Sequence, residues 1–89
     1  MKLTYDPQYN IAYIHLKNKQ GRVRTVAVSD ELNVDVATDG SIYGIELLNA
    51  NSQLAADGLH GLVVENKASG KSTKIPLTLS TLRTGKRVG

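Results

Sequence analysis

The stretch LNVDVATDGSIYGIEL, residues 32–47, constrains the fold of this chain more than any other. Asp39-Gly40 is a two-residue hairpin signal, because a type I′ turn needs positive φ at both central positions. Folding there sets Val36 opposite Tyr43, Val34 opposite Ile45 and Leu32 opposite Leu47, so six apolar side chains share one face. Moving the turn by one residue brings Asp35 to Tyr43 and mixes the faces. The two-residue register is therefore expected, and with it an antiparallel sheet with one apolar face.

The same test extends to both sides. Residues 11–16 (IAYIHL) and 23–28 (VRTVAV) flank a loop containing Gly21, and setting Ile14 against Val26 and Ala12 against Val28 keeps the apolar face continuous. A three-residue loop, Ser29-Asp30-Glu31, would place Val28 opposite Leu32. A turn with Pro7 at its second position would bring Leu3 opposite Ala12. The expected fold is α+β, mostly β: a five-stranded antiparallel meander over residues 2–5, 11–17, 22–28, 32–38 and 41–48. Arg24 is the one awkward residue on the apolar face. A short helix over 51–57 follows, with Asn51 or Ser52 as N-cap and Gly58 closing it. Two helical turns are not stable alone, so the helix is expected to pack on the sheet. A C-terminal hairpin is expected over 61–66 and 72–79, turning at Ser69-Gly70 and pairing Val64 with Ile75, Leu62 with Leu77 and Glu65 with Lys74. Pro76 confines the last strand to an edge.

A chain of 89 residues without Phe, Trp or Cys must build its core from Ile, Leu, Val and Tyr. A chain this short buries only about 60–65% of its unfolded surface, so self-association would add stability. The lack of cysteine removes disulfides, thiolate metal sites and thiol nucleophiles. The opening MKLTYDPQYN has no signal or transit character, and no apolar run approaches the ~20 residues of a membrane span, so a soluble cytoplasmic protein is expected. One globular domain is expected over residues 1–80, with 81–89 a basic, flexible tail. Charge is uneven: residues 1–66 carry five basic and eight acidic side chains, whereas 67–89 carry six basic and none acidic. Lys71, Lys74, Arg83, Lys86 and Arg87 are therefore the candidate nucleic-acid contacts, with the loop cluster Lys17, Lys19, Arg22 and Arg24 beside them.

On the non-apolar face one row reads His15, Thr25, Asp35, Gly44 and the next reads Tyr13, Ala27, Asn33, Glu46. Asp35 and Glu46 are diagonal neighbours, roughly 7 Å apart at Cβ, a separation that would suit a catalytic pair. Alternation on a one-sided sheet also places polar residues there with no chemistry attached. His15 and Asp35 lie two strands apart, roughly 10 Å, which is too far for a nucleophile–base–orienter arrangement. A flat sheet face has no concavity of its own. SGKST resembles the end of a phosphate-binding loop, but Glu65 stands where its first glycine belongs. His60 sits in a loop between glycines, and two histidines without cysteine give no metal-ligand spacing. No catalytic residue, metal or cofactor is assigned.

YDPQYNIAYIHL followed by VDVATDGSIYGIEL resembles the bacterial family called domain of unknown function 2283. Tyr5, Asp6, Tyr13, Ile14, Leu16, Val34, Asp35, Asp39, Gly40, Gly44, Ile45 and Glu46 stand in the family's pattern over about residues 1–52. The chain departs from it at Asn10 and Ala37, where the family often has an acid. The resemblance implies a small β-rich bacterial protein without an established activity, of a type suspected of accompanying toxin-like partners.

The expected function is a non-enzymatic protein-binding module acting through Tyr13, His15, Asp35 and Glu46. It is expected to form a homodimer through a sheet edge or the Tyr13 face. The alternatives are a ligand-binding protein or enzyme using Asp35 and Glu46, and weak nucleic-acid binding through the tail.

Overall fold

The computed structural model describes residues 1–18, 21–58 and 61–77. The chain forms two compact units, residues 1–50 and 51–89. The first holds five strands: β1 (Lys2–Asp6), β2 (Ile11–His15), β3 (Val23–Ser29), β4 (Leu32–Ala37) and β5 (Ile42–Leu48). Helix α1 (Ala50–Leu54) follows, and the second unit carries the hairpin β6 (Gly61–Glu65) and β7 (Ser72–Pro76). Five antiparallel strands, one short helix and a C-terminal hairpin are thus the architecture that the sequence predicts.

Strand order within the sheet is β1-β2-β5-β4-β3. The hairpins β1–β2, β3–β4 and β4–β5 follow the chain as in a meander, but β2 pairs with β5. The expected pairing of Ile14 with Val26 is replaced by Ile14 with Ile45, and that of Ala12 with Val28 by Ala12 with Leu47. Both arrangements keep the apolar side chains on one face, so alternation does not separate them. Residues 16–22 instead connect β2 to the far edge of the sheet. At that end Lys17 Nζ donates to Ser41 Oγ at 2.5 Å and lies 3.8 Å from Asp39 Oδ2, tying the connection to the β4–β5 turn.

Turn chemistry adjusts the expected registers. Leu32–Leu47, Val34–Ile45 and Val26–Val34 pair as expected. The β4–β5 loop, however, spans three residues, Thr38-Asp39-Gly40. Ala37 N donates to Ser41 O and Gly40 N to Ala37 O, and only Gly40 has positive φ, at 89°. The register shift between Asp35 and Val36 absorbs the extra residue, so Val36 pairs with Ile42 and Tyr43 leaves the expected apolar row. The β3–β4 loop is the reverse case: two residues, with Ser29 opposite Leu32 and Val28 in the irregularity.

The β1–β2 and β6–β7 hairpins are both displaced by two residues from expectation, and for one reason. Each closes with a four-residue loop that ends in a left-handed residue, Asn10 at φ 56° and Gly70 at φ 76°. Each loop is also held by a side-chain acceptor at its start, Asp6 Oδ1 for Gln8 N and Asn66 Oδ1 for Ala68 N. Asn and Gly are the residues that tolerate this backbone. Leu3 therefore pairs with Ile14, and Leu62 with Ile75, while Glu65 meets Ser72 rather than Lys74. A two-residue displacement preserves which face each side chain takes.

The helix starts at Ala50, whose N–H is bonded to Asn10 O, and Gly58 ends the turn that follows it with φ 76°. Among the described residues Ala12 and Ala50 are the fully buried apolar side chains. Leu3, Tyr5, Ile14, Val34, Ile45 and Leu47 are half-buried, and Arg24 is exposed.

Candidate functional site

Pairing β2 with β5 rearranges the polar face. One row now runs Lys2, His15, Gly44, Asp35, Thr25, and the next runs Thr4, Tyr13, Glu46, Asn33, Ala27. The members of the two rows are as expected from alternation; their order is not. His15 and Asp35 remain two strands apart, but glycine stands between them instead of threonine.

That glycine sets the geometry of the face. A Cβ at Gly44 would lie 2.5 Å from Cε2 and 2.6 Å from Cζ of Tyr13. The Tyr13 ring therefore lies across β5, over the one position with no side chain. Its hydroxyl reaches strand β4 and donates to Asp35 Oδ2 at 2.5 Å. From the other side Thr25 Oγ1 donates to Asp35 Oδ1 at 2.5 Å. The His15 ring meets Tyr13 edge-on at 4.5 Å between centroids. Three strands, β2, β4 and β3, are thus joined by one chain of hydrogen bonds that passes over β5 at Gly44.

Asp35 and Glu46 do not act as a pair. Asp35 is engaged by two hydroxyls, and Glu46 Oε1 accepts from Asn33 Nδ2 at 2.8 Å. Both carboxylates are half-buried. The Tyr13 phenol is held well above its usual value near 10, first by burial, which disfavours the phenolate, and then by the bond to Asp35 and its charge. At neutral pH Tyr13 is a fixed hydrogen-bond donor, not a base or a nucleophile. Thr25, Asn33 and Gly44 are the site residues that sequence reasoning passed over; the signal was a glycine inside a strand, which marks a close approach.

Tyr43, displaced by the irregularity in β5, lies 6.3 Å from the Tyr13 ring. With Lys2, His15, Leu16 and Lys17 it lines an open pocket of about 520 Å³ at the end of the row. No cluster of three metal-ligating side chains occurs among the described residues. No helix among them is long and apolar enough to cross a membrane. Lys71 and Lys74 are exposed in the second unit. Arg83, Lys86 and Arg87, like Lys19 and His60, lie outside the described residues.

The family described as Protein of unknown function (DUF2283) matches residues 2–51. The chain belongs to this family. The match spans β1 to β5 and so contains every residue of the polar face. No curated protein and no solved structure matches the chain. At Asn10, where the chain departs from the resemblance drawn above, the side chain is a turn element: Oδ1 accepts from the Tyr5 hydroxyl and Nδ2 donates to Asn49 Oδ1.

Proposed function

We propose that this chain is a non-enzymatic protein-binding module whose contact surface is the Tyr13–His15–Asp35–Glu46 face. One observation supports this reading most: both carboxylates accept hydrogen bonds from donors on the same sheet face. Asp35 accepts from Tyr13 and Thr25 and Glu46 accepts from Asn33, so both carboxylates are held in a fixed orientation by neighbours on the sheet. The same bonds fix the side chains before any partner arrives, which lowers the ordering cost of association. Tyr13, at the centre of the face, is of a residue type enriched in protein contact surfaces. The candidate partner is a toxin-like protein, as the family resemblance implies.

The test compares wild-type protein with His15→Glu as baits in cells that carry the native gene neighbourhood. The expected result is a stoichiometric partner retained by the wild type and lost by the variant, with circular dichroism unchanged. Equal retention by both baits would overturn the assignment of this face. A second reading, a small-ligand site, is favoured by the pocket beside His15. Its lining by Lys2, Lys17 and His15 suits an anionic ligand.

A further inference from the structure

A five-stranded sheet that does not close has two edges, here β1 and β3, and the backbone shows what each offers. Ala37 N donates to Ser41 O, so Ala37, Asp35 and Asn33 direct their peptide groups toward β5. Alternation then turns Val36 and Val34 toward β3. Their partners Arg24 and Val26 face inward, and Val23, Thr25 and Ala27 direct their N–H and C=O groups out of the sheet. Among the described residues, the β3 edge therefore presents six peptide groups without a backbone partner before the irregularity at Val28. Thr25, Ala27 and Val28 are exposed, Val28 by 58%.

The β1 edge is weaker. Leu16 N donates to Tyr43 O, so by the same alternation His15, Tyr13 and Ile11 bond to Lys2, Thr4 and Asp6. Only Leu3 and Tyr5 point their peptide groups outward, between a lysine and an aspartate and ahead of Pro7. Short length, charge and proline are the devices that blunt an edge. Strand β3 has seven residues, no proline and a single charge, Arg24.

We propose that β3 pairs antiparallel with β3 of a second copy of this chain, about a two-fold axis at Thr25. In that register Val23 faces Ala27 of the second copy and Thr25 faces its equivalent, so all six outward groups are bonded. Arg24 lies opposite Val26 of the second copy, where its aliphatic stem covers a half-buried valine. An axis at Arg24 would set two arginines opposite each other, which is destabilising. An axis at Val26 would push Val23 onto Ser29, beyond the irregularity, and forfeit regular bonds. The Thr25 register alone satisfies the edge without a like-charge contact. The contact closes on itself as a dimer.

The pairing also completes the polar row. Thr25, which donates to Asp35, becomes the neighbour of Thr25 in the second copy, and the two Asp35 residues lie three strand spacings apart, about 14 Å. One continuous ten-stranded face then presents two related sites, which suits a two-fold symmetric partner.

The absence of cysteine makes the test direct. A hydrogen-bonded antiparallel pair has Cα atoms about 5.5 Å apart, within the range a disulfide spans. Under mild oxidation of the purified protein, Thr25→Cys should give mostly covalent dimer, with Val26→Cys and Thr4→Cys several-fold less. Dominant cross-linking at Val26→Cys would overturn the register, and at Thr4→Cys the choice of edge. Wild-type protein should show concentration-dependent dimer by sedimentation velocity. Ala27→Pro, which deletes an outward donor and leaves the bonds to β4 intact, should shift it to monomer. If that variant does not fold, the cross-linking pattern still decides. A wild type that stays monomeric at several hundred micromolar, with no Thr25→Cys product, would refute the dimer. The pure protein contains no partner, so this outcome is independent of the proposed binding function.

Discussion

Replacing Gly44 with alanine is the sharpest probe of the polar face. The added Cβ would fall 2.5–2.6 Å from the Tyr13 ring carbons, so the ring must leave its place over β5. Tyr13 is attached on β2 and can swing away, so the cost is what the displaced ring gives up. Its bond to the Asp35 carboxylate is the main loss, about 1.5–3 kcal/mol for a bond to a charged group. Against this, alanine is favoured over glycine in a strand by roughly 0.5–1 kcal/mol. The net destabilisation is about 1–2 kcal/mol, a large part of the roughly 4–13 kcal/mol expected for a chain of this size. In urea that lowers the midpoint by about 0.5–1.5 M. The decisive measurement is the same substitution in a Tyr13→Ala background. With no ring to displace, only the backbone term remains, and Gly44→Ala should stabilise by roughly 0.5–1 kcal/mol. Equal destabilisation in both backgrounds would show that Tyr13 does not occupy the Gly44 notch, and the reading of the face would fall.

Two further outcomes follow from titration. Because the Tyr13 phenol is raised in the folded state, the fold retains a proton there that the unfolded chain releases above about pH 10. That contribution is fully present below the ordinary phenol value and is lost as pH rises, so Tyr13→Phe should flatten the alkaline fall in stability, measured as urea midpoints from pH 9 to 11.5. An unchanged slope would remove the assignment. Asp39 is held below its usual value by the side-chain and backbone bonds from Ser41, then by the charge of Lys17. Its contribution is present above the ordinary carboxylate value and lost as pH falls, and Ser41→Ala should move its NMR titration midpoint upward; no movement would place the turn elsewhere.

Much of this fold is legible in local patterns. Alternation fixes which residues share a face where the displacement is by two residues, as at β1–β2 and β6–β7, but not at the β5 irregularity, where Ile42 takes the place opposite Val36 that alternation gives to Tyr43. The members of both polar rows follow from the same rule. The loop lengths do not, because they depend on side-chain acceptors such as Asp6 and Asn66 and on which residue turns left-handed. Asp39-Gly40 carries the sequence signature of one turn type and adopts another, and the irregularity near Tyr43 restores the register that alternation demands.

The sequence by itself determined five strands, their faces and the polar residues that share one surface, since each of these rests on a period of two and on contacts close along the chain. Only the tertiary structure decided that β5 and not β3 lies beside β2. The apolar faces of both candidates are equally acceptable to Ile14 and Ala12, so nothing local distinguishes them. In the observed pairing the Tyr13 ring lies over Gly44 of β5, a position where a side chain would collide with it. From that one long-range choice come the bond between Tyr13 and Asp35, the raised phenol, and the open edge at β3.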